Sequence, residues 1–247
     1  LNIEQMRKFI SNEIFDEYDE ETDQQKKVPQ PPLEKPYPQE SRLFDLVSPQ
    51  EFKIPSLSLT ELLKNRKSRR AFKNTPLSLN ELSFLLWSTQ GIKEIIRNGY
   101  ASLKTVPSAG ARHAFETYLY IRNVEGFEEG VYRYLPIEHK LFLSYTQPDL
   151  SQKIIEGCYG QHMAGESAVT FIWSVIPYRM EWRYAKSSYK LLLLDAGHVC
   201  QNLYLACENI TCGTCAIGAY SQKLMDNFIK ADGKEEFVIY MAPVGKY

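Results

Sequence analysis

The densest concentration of potential chemistry is Arg66-Lys67-Ser68-Arg69-Arg70-Ala71-Phe72, where four cations and a hydroxyl occupy five consecutive positions. An apolar run (Leu57, Leu59, Leu62, Leu63) precedes it and another begins at Leu77. Guanidinium forks and a hydroxyl at the end of an element suit a phosphate, because they donate in pairs and need no deprotonation. A solvated basic turn would carry the same letters. The second patch is Val106-Pro107-Ser108-Ala109-Gly110-Ala111-Arg112-His113. Its small residues let backbone approach a ligand, Gly110 permits positive φ, and Arg112 and His113 add polar reach. A plain turn into the next strand is the alternative. Cys200, Cys207, Cys212 and Cys215 cluster near His198, and Cys212 with Cys215 has the CxxC spacing of zinc and redox sites. A second CxxC is missing, and Cys200 and Cys207 fall in an apolar run where Cys acts as a small hydrophobe. Asp195, His198 and Glu208 invite a triad, but no GxSxG elbow accompanies them, and His198 on an apolar helix reads as a core histidine. No Walker loop and no GxGxxG after a strand is present, which argues against a Rossmann nucleotide site.

Bulk properties narrow the classes. A chain of 247 residues has ample core for one large domain or two small ones. Lys and Arg total 29 against 30 Asp and Glu, so there is no global basic field to argue for nucleic acid. The longest apolar run, near Ala168 to Ile176, is too short to span a bilayer, and no signal-peptide pattern is seen. The chain opens Leu1-Asn2-Ile3-Glu4 without an initiator Met, so a trimmed start is expected. Five Cys without small-secreted-domain spacing favour a reducing cytoplasm. Sixteen Tyr hint at a planar ligand or a large interface.

The elements that must position these residues follow from periodicity and caps. Ile3, Met6, Phe9, Ile10, Ile14 and Phe15 predict one amphipathic helix ending in the acidic run Asp16 to Glu21. The Pro-rich stretch from Pro29 to Pro55 predicts an extended connector, anchored by Leu33, Tyr37, Leu43 and Phe44, that wraps its own subunit or a partner. Ser58 with Glu61 and Ser78 with Glu81 make capping boxes for helices over 59–65 and 79–90, the latter closed by Gly91. Residues 92–104 read as a loop. Strands are expected at 115–122, 130–135, 140–143, 168–176 and 236–244, with helices at 149–157, after Ser221, and at 187–209. The last of these is the longest and apolar nearly all round, as a central or interface helix would be.

In this order the pieces resemble the nitroreductase family. Arg66 to Phe72 is similar to its R-(R)-S-x-R-x-F signature, and Pro107 to His113 to its P-S-(S/A)-(G/N) loop, in the P-S-A-G-A-x-H form of the SagB/ThcOx-type dehydrogenase branch. Asp195 to Leu203 resembles that branch's central helix, Gly213 to Ala219 the segment after it, and Ala242 to Lys246 its end. The likeness covers residues 28–247. It implies an α+β nitroreductase fold, a central mixed/antiparallel sheet flanked by helices, built as a homodimer. An N-terminal helix and Pro-rich extension (residues 1–56) would precede an FMN-binding domain (residues 57–247).

The resemblance also implies roles. Arg66, Lys67, Ser68 and Arg70 would hold the FMN phosphate and ribityl chain. Pro107, Ser108, Ala109 and Gly110 would reach the flavin from the other subunit. Ile217, Gly218 and Ala219 would lie along the ring, with a backbone N–H toward N5 and O4. The family's C-terminal Lys-x-Arg has no clear match, and Lys246 would fill part of its role. Azoline oxidases carry an acid/base Lys-Tyr pair before the long helix, where this chain has Arg183-Tyr184. Arg stays protonated and makes a poor base, whereas Tyr184 can donate a proton. Ala114-Phe115 replaces Pro-Leu after the His, a packing change. The expected activity is ping-pong hydride transfer through FMN, on a small molecule or a modified peptide, with NAD(P)H as a possible electron donor. Tyr100, Arg112, Tyr178, Arg183 and Tyr184 are candidate substrate-lining residues. No metal, nucleic acid or membrane is expected. The alternatives are a flavin-binding partner subunit without turnover, or a metal or thiol protein using Cys212 and Cys215.

Overall fold

The computed structural model describes residues 2–11 and 21–247. Helix α1 (Ile3–Ile10) begins at a capping box between Asn2 and Gln5. The rest of the N-terminal helical pattern, through Phe15 and into the acidic run, lies outside the described residues. A strand β1 (Leu43–Asp45) follows, then α2 (Leu59–Asn65) and α3 (Leu79–Gln90), each opened by the expected Ser/Glu capping box. Such a cap satisfies orphan N–H groups, and its loss costs about 1 kcal/mol. Next come β2 (Ile92–Ile96), β3 (Ala101–Lys104), β4 (Phe115–Ile121), β5 (Gly130–Leu135) and β6 (Lys140–Tyr145). Helices α4 (Leu150–Gly157) and α5 (Met163–Glu166) precede β7 (Val169–Val175). Helix α6 (Tyr178–Tyr184) and the long α7 (Ser188–Asn209) lead to β8 (Cys212–Thr214), α8 (Gln222–Ile229) and β9 (Phe237–Lys246).

Seven strands form one sheet in the order β1-β6-β5-β4-β7-β9-β8. Each of these ladders is antiparallel. An isolated parallel bridge, Ser68 to Thr214, joins the basic heptapeptide to the β8 edge. Both faces are covered. Leu119, Ile121, Phe171 and Trp173 pack against Leu85 and Leu86 of α3 and Leu192, Val199 and Leu203 of α7. Tyr118, Tyr120 and Ile172 pack on the opposite side with Ile154 of α4 and Met225 and Phe228 of α8. The period-two alternation of β4 therefore separates two cores rather than core from solvent.

One expectation needs correction, and two details go beyond the sequence reading. Residues 92–104 are a β2–β3 hairpin rather than a loop, and its turn places Arg97, Asn98 and Gly99 at positive φ. The Asn98-Gly99 pair is a hairpin signal that marks this turn. Pro177 ends β7 but also starts helix α6. The connector contributes β1 to the sheet, because Leu43 to Asp45 pairs with β6.

The connector wraps its own subunit. Gln24 N donates to Trp182 O at 2.8 Å and Trp182 Nε1 to Val28 O at 2.9 Å. Lys35 N donates to Glu116 Oε1 at 2.8 Å, and Arg133 Nη2 donates to Lys35 O at 2.7 Å. Glu116 is buried and also accepts from buried Arg179 at 2.5 Å. It thus ties connector, sheet and α6 together. Removing a buried carboxylate from two arginines leaves charge uncompensated. Glu116→Ala is expected to destabilise the protein by about 3–5 kcal/mol. Urea denaturation measures this, and a loss below about 1 kcal/mol would show that the network is solvated.

Candidate functional site

The basic heptapeptide emerges from the C-terminal end of α2 and runs along the β8 edge. Arg69 N donates to Thr214 O at 3.0 Å, fixing the backbone there. The approach is close: a Cβ on Gly213 would meet the Arg69 side chain at 2.8 Å, so only glycine fits. Arg69 is spent internally. It pairs with buried Glu208 of α7, and its guanidinium stacks 3.7 Å from the Tyr247 ring centroid. The other cations differ. Lys67 and Arg70 are exposed, and the Arg66 guanidinium lies over the Tyr204 ring at 5.3 Å. Arg66, Lys67 and Arg70 form no ion pair among the described residues.

Tyr204, on α7, is the hinge pin of this region, and sequence reasoning missed it. Its hydroxyl lies 3.0 Å from Ser68 Oγ and accepts a hydrogen bond from Ala216 N at 2.9 Å. One phenol therefore joins the basic loop to the segment after β8. Ile217 is buried, and its N–H donates to Met241 O at 2.8 Å. Gly218 and Ala219 are exposed, and nothing lies within 4 Å of where a Gly218 side chain would begin. Of the three expected ring-side residues, only Gly218 and Ala219 thus keep free amides among the described residues. Lys246 points elsewhere: its ammonium pairs with Glu81 of α3 and donates to Ile210 O at 2.9 Å. The sequence signal for Tyr204 was slight, one of two tyrosines on a helix rich in leucine.

The Pro107–His113 patch is a short 3-10 turn over Ala109–Ala111, with Gly110 at φ 57°. Pro107 is exposed. Ser108 Oγ accepts from His113 N at 3.0 Å, and Ala109 N donates to Asp195 Oδ1 of α7 at 3.3 Å. Burial raises the Asp195 carboxyl, opposed by the bonds from Ser108 and Ala109. A Cβ on Gly110 would lie 2.6 Å from Tyr184 Oη and 3.0 Å from Arg183 Cδ. The fold thus brings the loop onto Arg183 and Tyr184 of the same chain. Tyr100 and Arg112 join them: Arg112 Nη2 donates to Tyr100 O at 2.9 Å, and Arg183 Nη1 lies 3.5 Å from Tyr100 Oη. Tyr178 does not join this cluster, since its hydroxyl donates to Asp23 at 3.0 Å.

The remaining candidates separate. His198 is exposed on α7, not a core histidine, while Glu208 is occupied by Arg69. All five cysteines are free and buried, and burial pushes the Cys212 thiol up to about 12. A thiol held protonated is a poor ligand and nucleophile. No cluster of three or more metal-ligating side chains occurs among the described residues.

Comparison with known proteins fits this geometry. The fold is that of the nitroreductases. A model described as "Nitroreductase family" matches residues 63–246, and the chain belongs to that family. It is 29% identical over 193 residues to "Putative nitroreductase MJ1384" of Methanocaldococcus jannaschii, covering 78% of this chain and 93% of the relative. The crystal structure of "a putative nitroreductase" from Ralstonia eutropha superposes with a TM-score of 0.69 at 24% identity, covering 89% of this chain and 98% of that one. A chain of an E. coli microcin synthetase complex with a truncated pro-peptide bound superposes with a TM-score of 0.61 at 16% identity. That match covers 100% of this chain and 98% of the other, so the fold likeness extends through the Pro-rich connector.

One titration follows from the Ser108 loop. His113 is buried, and burial followed by the Lys104 charge lowers its pKa from 6.5 to about 2. A base with a depressed folded pKa binds fewer protons when folded. Its contribution to stability is present above about 6.5 and is lost as pH falls toward about 2. His113→Gln should remove about one proton from the acid-side slope of stability against pH, at most about 1.4 kcal/mol per pH unit. Denaturant titrations from neutral to acid pH measure it, and parallel slopes for the two proteins would refute the assignment.

Proposed function

We propose that this chain is an FMN-dependent oxidoreductase related to the SagB-type dehydrogenases, working by ping-pong hydride transfer through FMN. One observation carries the reading: the Tyr204 hydroxyl binds the basic loop to the Ala216–Ala219 segment, forming a single cradle. The residues suit the cofactor. Arg66, Lys67 and Arg70 have no acidic partner among the described residues, and Ser68 adds a hydroxyl at the same turn. Gly218 leaves space for a planar ring, and the Gly218 and Ala219 amides are uncommitted among the described residues. When bound, FMN supplies the hydride and electron transfer. Arg66, Lys67, Ser68 and Arg70 would hold its phosphate and ribityl chain.

Tyr184 is the proton donor in this reading, and Arg183 orients rather than deprotonates, because guanidinium is not a base at working pH. The substrate is a small molecule or a modified peptide, and a nicotinamide nucleotide is the electron donor for the reductive direction. The functional unit is a homodimer with FMN between subunits. Supporting it, α7 exposes Leu193 and Leu194, 55% and 53% accessible, and α2 exposes Leu59 and Leu63. Such exposed apolar area calls for a cover. No helix among the described residues is long and apolar enough to cross a membrane. The five free thiols point to a reducing cytoplasm.

The purified protein is expected to show oxidised-flavin absorbance near ~450 nm and to release about one FMN per subunit on heating. A colourless protein that takes up no added FMN would end this reading. Bound FMN without turnover on a broad panel of nitroaromatics, quinones and azolines would leave the flavin-binding partner subunit instead. Arg66→Ala should weaken FMN binding by about 10–100-fold while the protein stays folded. Tyr204→Phe, which keeps the ring and removes only the hydroxyl, should weaken it several-fold. Fluorescence titration of FMN measures both, and unchanged affinity in Tyr204→Phe would detach that tyrosine from the cradle.

A further inference from the structure

We infer that the arginines gathered around Tyr100 form a substrate subsite for a planar aromatic ring bearing a carboxylate. The inference rests on the oxidoreductase reading for what happens to that ring, but its binding stands on this geometry alone. The Arg112 guanidinium lies 5.0 Å from the Tyr100 ring centroid and 5.3 Å from that of Trp182, and Arg97 lies 5.9 Å from Tyr100. Arg183 reaches the Tyr100 hydroxyl at 3.5 Å. Three cations thus surround one phenol. None of them pairs with a carboxylate among the described residues. The charged and titratable groups bearing on buried Arg112 are Arg183, Tyr100 and Tyr184.

Gathering like charges without an anion is unfavourable, and here only ring faces and backbone carbonyls hold them. Elsewhere in the fold the buried arginines are paired: Arg179 with Glu116, and Arg69 with Glu208. Of the three around Tyr100, Arg97 lines an open cleft of about 320 Å3 with Gln30, Asn98, Tyr100 and Trp182, and buried Arg112 lies against the Tyr100 and Trp182 rings that wall it. That volume suits a one-ring molecule, with aromatic walls for its faces. Arg112 spends Nε on Gly110 O at 3.2 Å and one Nη on Tyr100 O, leaving donors over. Arg97 and Arg183 keep most of theirs. Gly110 and Tyr184 connect this subsite to the proposed flavin-facing loop, since a Cβ on Gly110 would contact both Tyr184 and Arg183. A ring held here would have its carboxylate at Arg97, with the Arg112 and Arg183 charges behind and beside Tyr100 adding to the attraction.

The test compares benzoate with benzamide, a neutral molecule of nearly the same shape, by titration calorimetry on the full chain with its flavin content assayed in parallel. Benzoate is expected to bind at least about tenfold more tightly than benzamide. Arg97→Gln, at an exposed hairpin turn, and Arg183→Gln should each erase most of that preference with unchanged thermal unfolding. Equal binding of the two probes, or a preference that survives both substitutions, would overturn the subsite. Benzoate selectivity in a protein that binds no FMN would keep this inference and remove the flavin reading. FMN binding without benzoate selectivity would do the reverse.

Discussion

Everything at the candidate site hangs on one helix being pinned against one sheet. Helix α7 buries Leu192, Val199 and Leu203 on the strands, which sets its rotation about its own axis. That rotation decides where its polar residues emerge. Asp195 meets the Ser108 loop, Tyr204 meets the basic loop and the Ala216 amide, and Glu208 meets Arg69. At a rise of about 1.5 Å per residue, Asp195 and Tyr204 stand about 14 Å apart. The two sequence patches are separated along α7 by that distance, and the exposed leucines on the same helix lie at the surface between subunits in the proposed dimer.

Charge is handled in two ways within this chain. Around Glu116, burial is matched by pairing: two arginines and a backbone amide converge on one carboxylate, and the connector is held to the sheet. Around Tyr100, and at Arg66, Lys67 and Arg70 of the basic loop, cations gather without acidic partners among the described residues. The first arrangement is what a fold does with ions it must bury, since an uncompensated charge there costs several kcal/mol. The second is what a surface does when an anion from outside completes it. Arg69, enclosed in the basic heptapeptide yet paired with Glu208, shows both uses within five residues of one another.

Much of the fold was legible because it depends on local chemistry. Capping boxes at Ser58 and Ser78 set two helix starts to the residue, and apolar runs located β4, β7 and β9. The hairpin at 92–104 was misread because its strands alternate poorly and face outward on one side. Asn98-Gly99 was the clue. Strand β1 could not be read from three residues in a Pro-rich stretch, because what makes Leu43 to Asp45 a strand is the free edge of β6. His198 was misplaced for a related reason: an all-round apolar helix does not declare which of its faces meets solvent.

By itself the sequence determined the residue types that could bind a phosphate, the small-residue loop that could meet a ring, and the order in which family motifs occur. These are properties of neighbouring letters, and hydrogen bonding within a turn or a helical cap carries them. Tertiary structure alone decided which cations are free. Arg66 and Arg70 look like Arg69 in sequence, and Lys246 looks available, until Glu208 and Glu81 arrive from distant helices to neutralise two of them. It also decided that Tyr204 bridges two segments and that Tyr100 collects arginines. Coulomb attraction and hydrogen bonds act over a few ångströms, and which groups come within that range is set by packing rather than by spacing along the chain.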